Sequence, residues 1–112
     1  MTTSPNVTVV ANGIALSDDT ARHRYEAHIG TELAGFAEYN LLTDAIMFTH
    51  TEVLPAFEGK GVGSTLTRHL LDDAPARQLH VIPVCEFIAA YIRKHRDCAD
   101  VVREDIQRAF KI

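Results

Sequence analysis

The chain has 112 residues, 46% of them hydrophobic and 23% charged, which suits one soluble globular domain with its own core. Lys and Arg number 11 against 15 Asp and Glu, and the net charge of -4 argues against a broad basic surface for nucleic-acid phosphates. No apolar run approaches the ~20 residues of a membrane span, and "MTTSPNVTVVANG" lacks the charged and apolar regions of a signal peptide. Neither nucleic acid nor membrane is an expected partner, and the expected location is the cytoplasm.

In chain order, "NVTVVANG" reads as a short strand ending in an Asn-Gly turn, and "ALSDDTA" reads as loop. "RHRYEAHI" alternates with a period of two, so it is expected as a strand with one solvated face. Gly30 and Thr31 form a tight connection to a second strand, "ELAGFAEYNL", and the pair reads as a hairpin. "AIMFTHTEV", Ala45 to Val53, is almost wholly apolar or β-branched and is expected to be the most central strand. Val62, Leu66, Leu70 and Ala74 then recur at helical spacing, with Pro75 ending or kinking that helix. "LHVIPVC" is a short buried strand, expected parallel to Ala45–Val53 through a right-handed crossover, with Pro83 requiring an edge or an interruption of pairing. "EFIAAYIRKH" reads as helix. Val102, Ile106, Ala109 and Phe110 mark a C-terminal amphipathic helix at about 100–112. The resulting order, β-β-β-β-α-β-α-α, is an α/β mixed sheet, an antiparallel meander followed by β-α-β-α, in a single domain over residues 1–112.

Between Val53 and the helix, Gly59, Gly61 and Gly63 fall at alternate positions. Glycines reach dihedrals other residues avoid and let a ligand approach the backbone. The first amides of a helix lack internal partners, so this turn suits a phosphate group. A tight strand-to-helix turn with no ligand is the alternative. A Walker loop is ruled out, because Lys60 precedes Gly61 and no Gly-Lys-Ser/Thr exists. The dinucleotide fingerprint fails on spacing and on the meander before it.

The stretch Glu58-Gly59-Lys60-Gly61-Val62-Gly63 resembles the pyrophosphate-binding motif of the GCN5-related N-acetyltransferases, Arg/Gln-x-x-Gly-x-Gly/Ala. "HTEVLPAFEGKGVGSTL" together with "VIPVCEFIAAYIRKH" is similar to a small single-domain subfamily of that group, often called YjdJ-type. The resemblance spans about residues 6 to 102. It implies an N-acetyltransferase fold with acetyl-CoA as cosubstrate between two splayed strands, Ala45–Val53 and Leu79–Cys85. By the same resemblance, pantetheine runs beside Val53 and Leu54, and the pyrophosphate sits on the turn formed by Gly59, Lys60, Gly61, Val62, Gly63 and Ser64. Two positions depart from the pattern. Glu58 replaces the family's Arg or Gln, and Glu86 stands where a Cys-Pro-Phe turn has proline.

Acetyl transfer needs a neutral amine, a donor to the carbonyl oxygen and a proton for the leaving thiolate. Cys85 ends a strand and opens a helix, a position that favours thiolate chemistry. It can serve as acyl acceptor or proton donor, or only pack. His50 is expected on the same face as Ile46 and Phe48, where it can act as a base or partner Cys85, or be a hydrogen-bonded, partly buried residue. Glu52 is expected on that face too. Tyr91 is expected to pack, and Cys98 likewise. "RKHR", Arg93 to Arg96, reads as a helix C-terminus or as a contact to the cofactor's phosphorylated ribose. The histidines show no zinc-like spacing, so no metal is expected. Only Ala11 to Ala21 separates the first two expected strands, too short for the two helices that wall the acceptor site in larger relatives. An open site suits an exposed amine on a protein or a polyamine, in a monomer or homodimer; CoA binding without efficient transfer is the alternative.

Overall fold

The computed structural model describes residues 8–112. Its elements are β1 (Val9–Ala11), β2 (Ile14–Asp19), β3 (Arg24–Ile29), β4 (Glu32–Leu41), β5 (Ala45–Val53), α1 (Val62–Ala76), β6 (His80–Pro83), α2 (Glu86–Lys94) and α3 (Glu104–Ala109), with 3-10 turns at Pro55–Phe57 and Arg96–Val101. Among the described residues the strands form one six-stranded sheet in the order β1-β2-β3-β4-β5-β6. Every pairing is antiparallel except β5 with β6, which is parallel, as the crossover through α1 requires. The mixed α/β class and the meander followed by β-α-β-α are as the sequence indicates. Asn6 and Val7 of the first run lie outside the described residues.

Two expectations about the strands are corrected. "ALSDDTA" is not loop: Ile14–Asp19 is β2, with Ile14, Leu16 and Asp18 buried. A polar residue at an inward position hid the alternation. Asp18 is satisfied there by the Tyr39 hydroxyl, which donates to it at 2.7 Å, and by the Arg77 guanidinium at 3.0 Å. Arg77 also donates to the Tyr25 hydroxyl at 2.9 Å, and Tyr25 donates to Asp73. This network ties β2, β3 and β4 to the C-terminal end of α1. With β2 in place, the connection without helices is the turn Thr20–His23, between β2 and β3.

Nor is β5 the most central strand. It lies between β4 and the edge strand β6. Only its first half, with Ala45, Ile46 and Phe48, is buried; Thr49, His50 and Glu52 are exposed. Threonines gave that second half a strand signal without burial. Pro83 sits on the edge strand, and because the His80 N–H bonds the Asp44 carbonyl at 3.0 Å, alternation turns the Pro83 nitrogen to the free side.

Both α1 and α2 pack against one face of the sheet. Val62, Leu66, Leu70 and Ala74 of α1 are fully buried, with Ile88 and Ile92 of α2, against Tyr25, Ile46, Phe48 and Val81. Pro75 falls in the last turn of α1, which stops one residue later. The C-terminal helix is shorter than expected. Val102, already buried, precedes it, and Ala109 is exposed. Arg93 clasps the end of the chain, donating to the Phe110 carbonyl at 2.6 Å and the Lys111 carbonyl at 2.9 Å.

Candidate functional site

Two features meet at one end of β5. The first is the glycine turn. After the 3-10 turn at Pro55–Phe57, Gly59 and Gly61 adopt left-handed φ values of 80° and 76°, conformations that favour glycine. Gly61 is the N-cap of α1, and the first ladder bond runs from the Thr65 N–H to the Gly61 carbonyl at 3.0 Å. The amides of Val62, Gly63 and Ser64 therefore precede the ladder and are available to an anion. Gly63 is needed for a different reason. A Cβ there would lie 2.6 Å from Cζ of Phe87.

The turn borders a pocket of about 250 Å³ lined by Val53, Phe57, Glu58 and Phe87 together with Gly59, Gly61, Val62, Gly63 and Ser64. Of the residues singled out for the cofactor, Leu54 and Lys60 stand outside this lining. Leu54 is half-buried and bonds its N–H to Ala34 at 2.9 Å, and Lys60 is exposed. Phe57 and Phe87 were not singled out for this role. Phe87 was legible only as part of the Cys-Pro-Phe-like turn. Glu58 is an acidic residue of this lining, next to the glycine turn, and no basic residue joins it there.

The second feature is the fork between β5 and β6. Pairing runs from Ala45 opposite His80 to Phe48 opposite Pro83 and then ends. One further bond, from the Cys85 N–H to the Phe48 carbonyl at 2.9 Å, closes the fork. Beyond it, His50 to Val53 stay paired with β4 and have no partner on β6. Cys85 is the N-cap of α2, largely buried, with its thiol donating to the Thr51 hydroxyl at 3.3 Å.

A bulge decides which side chains reach this fork. Tyr39 and Glu38 of β4 are consecutive, yet their partners on β5 are Phe48 and His50, so Thr49 is the extra residue. The bulge reverses the alternation. Phe48, Thr51 and Val53 share the helix-covered face, paired with Tyr39, Ala37 and Gly35. His50 and Glu52 turn to the opposite, open face. His50 is therefore not on the face of Ile46 and Phe48, and the structure brings Thr51, not His50, to Cys85. On the open face the His50 Nε2 lies 3.2 Å from Glu52 Oε1, and its ring packs near Phe36, centroids 6.1 Å apart. Arg24 covers the same Phe36 ring at 4.6 Å and is hydrogen-bonded to Glu26 at 2.8 Å.

The remaining candidates lie elsewhere. Tyr91 borders a second hollow of about 370 Å³ between the β1–β2 hairpin and α1, shared with Arg68, His69 and Asp72, which has Ser64 in common with the glycine-turn pocket. Its ring stacks on His95 at 3.9 Å, and burial pushes its hydroxyl above the ordinary tyrosine range. Arg93 is committed to the C-terminal carbonyls and to Glu86 at 2.6 Å. Cys98 is buried beside the Arg68 guanidinium at 2.8 Å, and burial pushes its thiol up, as a packing residue requires. Both cysteines are free. Among the described residues, no three His, Cys, Asp or Glu side chains converge on a metal position, and no helix is long and apolar enough to cross a membrane.

A five-strand antiparallel run, a glycine turn opening a helix, and a parallel strand that forks from its neighbour define an acyltransferase architecture. The family model of the GCN5-related N-acetyltransferases matches residues 24–101, from β3 through the 3-10 turn after α2. The chain belongs to that family and is an N-acetyltransferase by class. Its fold is similar to the NMR solution structure of a GCN5-like protein from Staphylococcus aureus, with a TM-score of 0.59 over 90% of this chain and 91% of that one, at 18% identity. Among curated proteins, none matches the chain in sequence.

Proposed function

We propose that this domain binds acetyl-CoA at the glycine turn and the β5–β6 fork, and transfers the acetyl group to an exposed amine of protein or polyamine type. The observation that carries the reading is the ending of the β5–β6 pairing at Phe48 and Pro83, beside free amides at the start of α1. The donor set fits the cosubstrate. Amides at Val62 to Ser64 suit a diphosphate, and the unpaired edge of β5 from Thr49 to Val53 suits an amide-bearing arm as an added strand. Acetyl-CoA supplies an activated thioester. The protein's share is to orient it, to offer backbone donors where oxyanion charge develops, and to manage protons.

The two faces of β5 divide those tasks. Cys85 faces the fork from the helix-covered side, as a proton donor for the leaving sulfur or as a transient acyl acceptor. His50, supported by Glu52, faces the open side, so as a base it acts on an arriving amine rather than on the Cys85 thiol. The turn Thr20–His23 leaves this side without the walls that two inserted helices would build, which suits an amine carried on a bulky or extended partner.

Glu58 favours a second reading, binding of acetyl-CoA or CoA without efficient transfer, because it places negative charge beside the diphosphate site. Native mass spectrometry with acetyl-CoA, followed by a panel of peptide amines and polyamines, separates the two. The transferase reading expects one bound acetyl-CoA and acetylated amine at a rate above the uncatalysed control. Cofactor binding with no acetylation of any amine leaves the second reading.

A further inference from the structure

We propose that Thr51 is a positioning residue for the site, holding the Cys85 sulfur at the fork and serving it in both of its protonation states. The Thr49 bulge is what makes this possible. Without the extra residue, position 50 would face the fork and position 51 the open side. With it, Thr51 lies opposite Ala37 on the helix-covered face, 3.3 Å from the Cys85 Sγ. The sulfur is anchored from the other side as well, since the Cys85 N–H is bonded to the Phe48 carbonyl and its own carbonyl receives the Ala89 N–H at 3.1 Å. Backbone and hydroxyl together fix where the sulfur stands.

Threonine suits this task as a valine could not. Its β-branch restricts χ1, so the hydroxyl direction is set by the strand. A hydroxyl both accepts and donates. As drawn, the neutral thiol donates to the Thr51 oxygen, and among the described residues the Thr51 hydroxyl acts only as acceptor. When the thiol loses its proton, the Thr51 O–H can rotate and donate to the thiolate. That bond is charge-assisted and the stronger of the two. Cys98 provides the contrast, because its sulfur meets the Arg68 guanidinium and no hydroxyl.

The chemical use of this pairing rests on the acetyl-transfer reading, but the pairing itself is testable without acetyl-CoA. The experiment is site-resolved alkylation of the full chain by iodoacetamide, read by peptide mass spectrometry across a pH series, in the parent, Thr51→Val and Thr51→Ser. Valine keeps the shape and removes the hydroxyl. Cys85 in Thr51→Val is expected to react about tenfold more slowly near neutral pH, because the bond from the hydroxyl to the reacting sulfur is lost. Thr51→Ser should stay near the parent curve, and Cys98 should be unchanged in all three. Thermal melts verify that the valine variant is folded. An unmoved Cys85 curve in folded Thr51→Val would overturn the proposal, as would Thr51→Ser behaving like Thr51→Val. If the Thr51 dependence appears in a protein that acetylates nothing, the pairing stands and the transferase reading falls.

Discussion

The Phe87 ring points its tip into the space where Gly63 has no side chain, so that a Cβ at residue 63 would stand 2.6 Å from the ring's Cζ. One glycine thereby sets the wall of the pocket at the start of α1. Phe87 is about half exposed, at 45%, so its ring can swing outward without opening the core.

Gly63→Ala is therefore expected to cost little stability, within about 1 kcal/mol, while displacing Phe87 from the pocket. Acetyl-CoA affinity should fall several-fold as the wall is lost. Calorimetric titration beside a thermal melt checks both halves. A large drop in melting temperature with unchanged affinity would mean that Phe87 is a core residue and no part of the site.

Glu58 lines the same pocket beside the helix amides. Glu58→Arg is expected to tighten acetyl-CoA binding several-fold, most clearly at low salt, because the like charge is replaced by an opposite one across a partly screened gap. Titrations of both proteins at low and high ionic strength measure it. Equal affinities at low salt would show that the carboxylate does not face the diphosphate.

Asp18 gives a pH prediction with a definite sign. Burial holds its carboxyl above the ordinary aspartate value, against the opposing pull of Tyr39 and Arg77. A raised carboxyl contributes stability that is present below its unfolded value and lost as pH rises through its folded value. Relative to Asp18→Asn, the parent should therefore be more stable at about pH 4 than at about pH 7. Asp19 and Asp97, held low by hydrogen bonds from Arg22 and Arg68, lose stability in acid in both proteins, so their effect cancels in the comparison. Denaturant unfolding at the two pH values tests it, and a difference independent of pH contradicts it.

The C-terminal segment caps the domain. Ile106 and Ile112 pack on the core, and Gln107 Nε2 donates to the carbonyls of Ala99 at 3.1 Å and Val102 at 2.9 Å. Truncation after Arg103 removes these contacts and leaves Arg93 without its carbonyls. A loss of roughly 2–3 kcal/mol in unfolding free energy is expected, measured by urea denaturation with size-exclusion chromatography. A truncated chain of unchanged stability that passes from dimer to monomer would assign this segment to a subunit interface instead.

Much of this was legible in the sequence for physical reasons that name particular residues. Val62, Leu66, Leu70 and Ala74 gave α1 because a buried stripe must repeat at helical spacing. Gly59 and Gly61 gave the turn because its left-handed φ values favour glycine. Pro83 gave the edge strand because it has no N–H to donate. β2 was missed because Asp18, a buried acid, breaks the apolar alternation and is balanced by Tyr39 and Arg77, far away in sequence. The face of His50 was wrong because a bulge leaves no mark in composition. Thr49 is an ordinary strand residue, and only its partner strand shows that it is extra. Thr51 went unnoticed for the same reason.

The most direct test of the central claim is calorimetric titration of acetyl-CoA into the parent protein and into Gly61→Val. Gly61 has φ 76° and nothing within 4 Å of where a Cβ would be, so valine costs backbone strain of about 1–3 kcal/mol and sterically blocks the amides without touching the core. The parent is expected to bind one acetyl-CoA, and Gly61→Val, verified as folded by circular dichroism, is expected to bind none. Equal affinity in the two proteins would contradict the assignment of the cosubstrate to this turn.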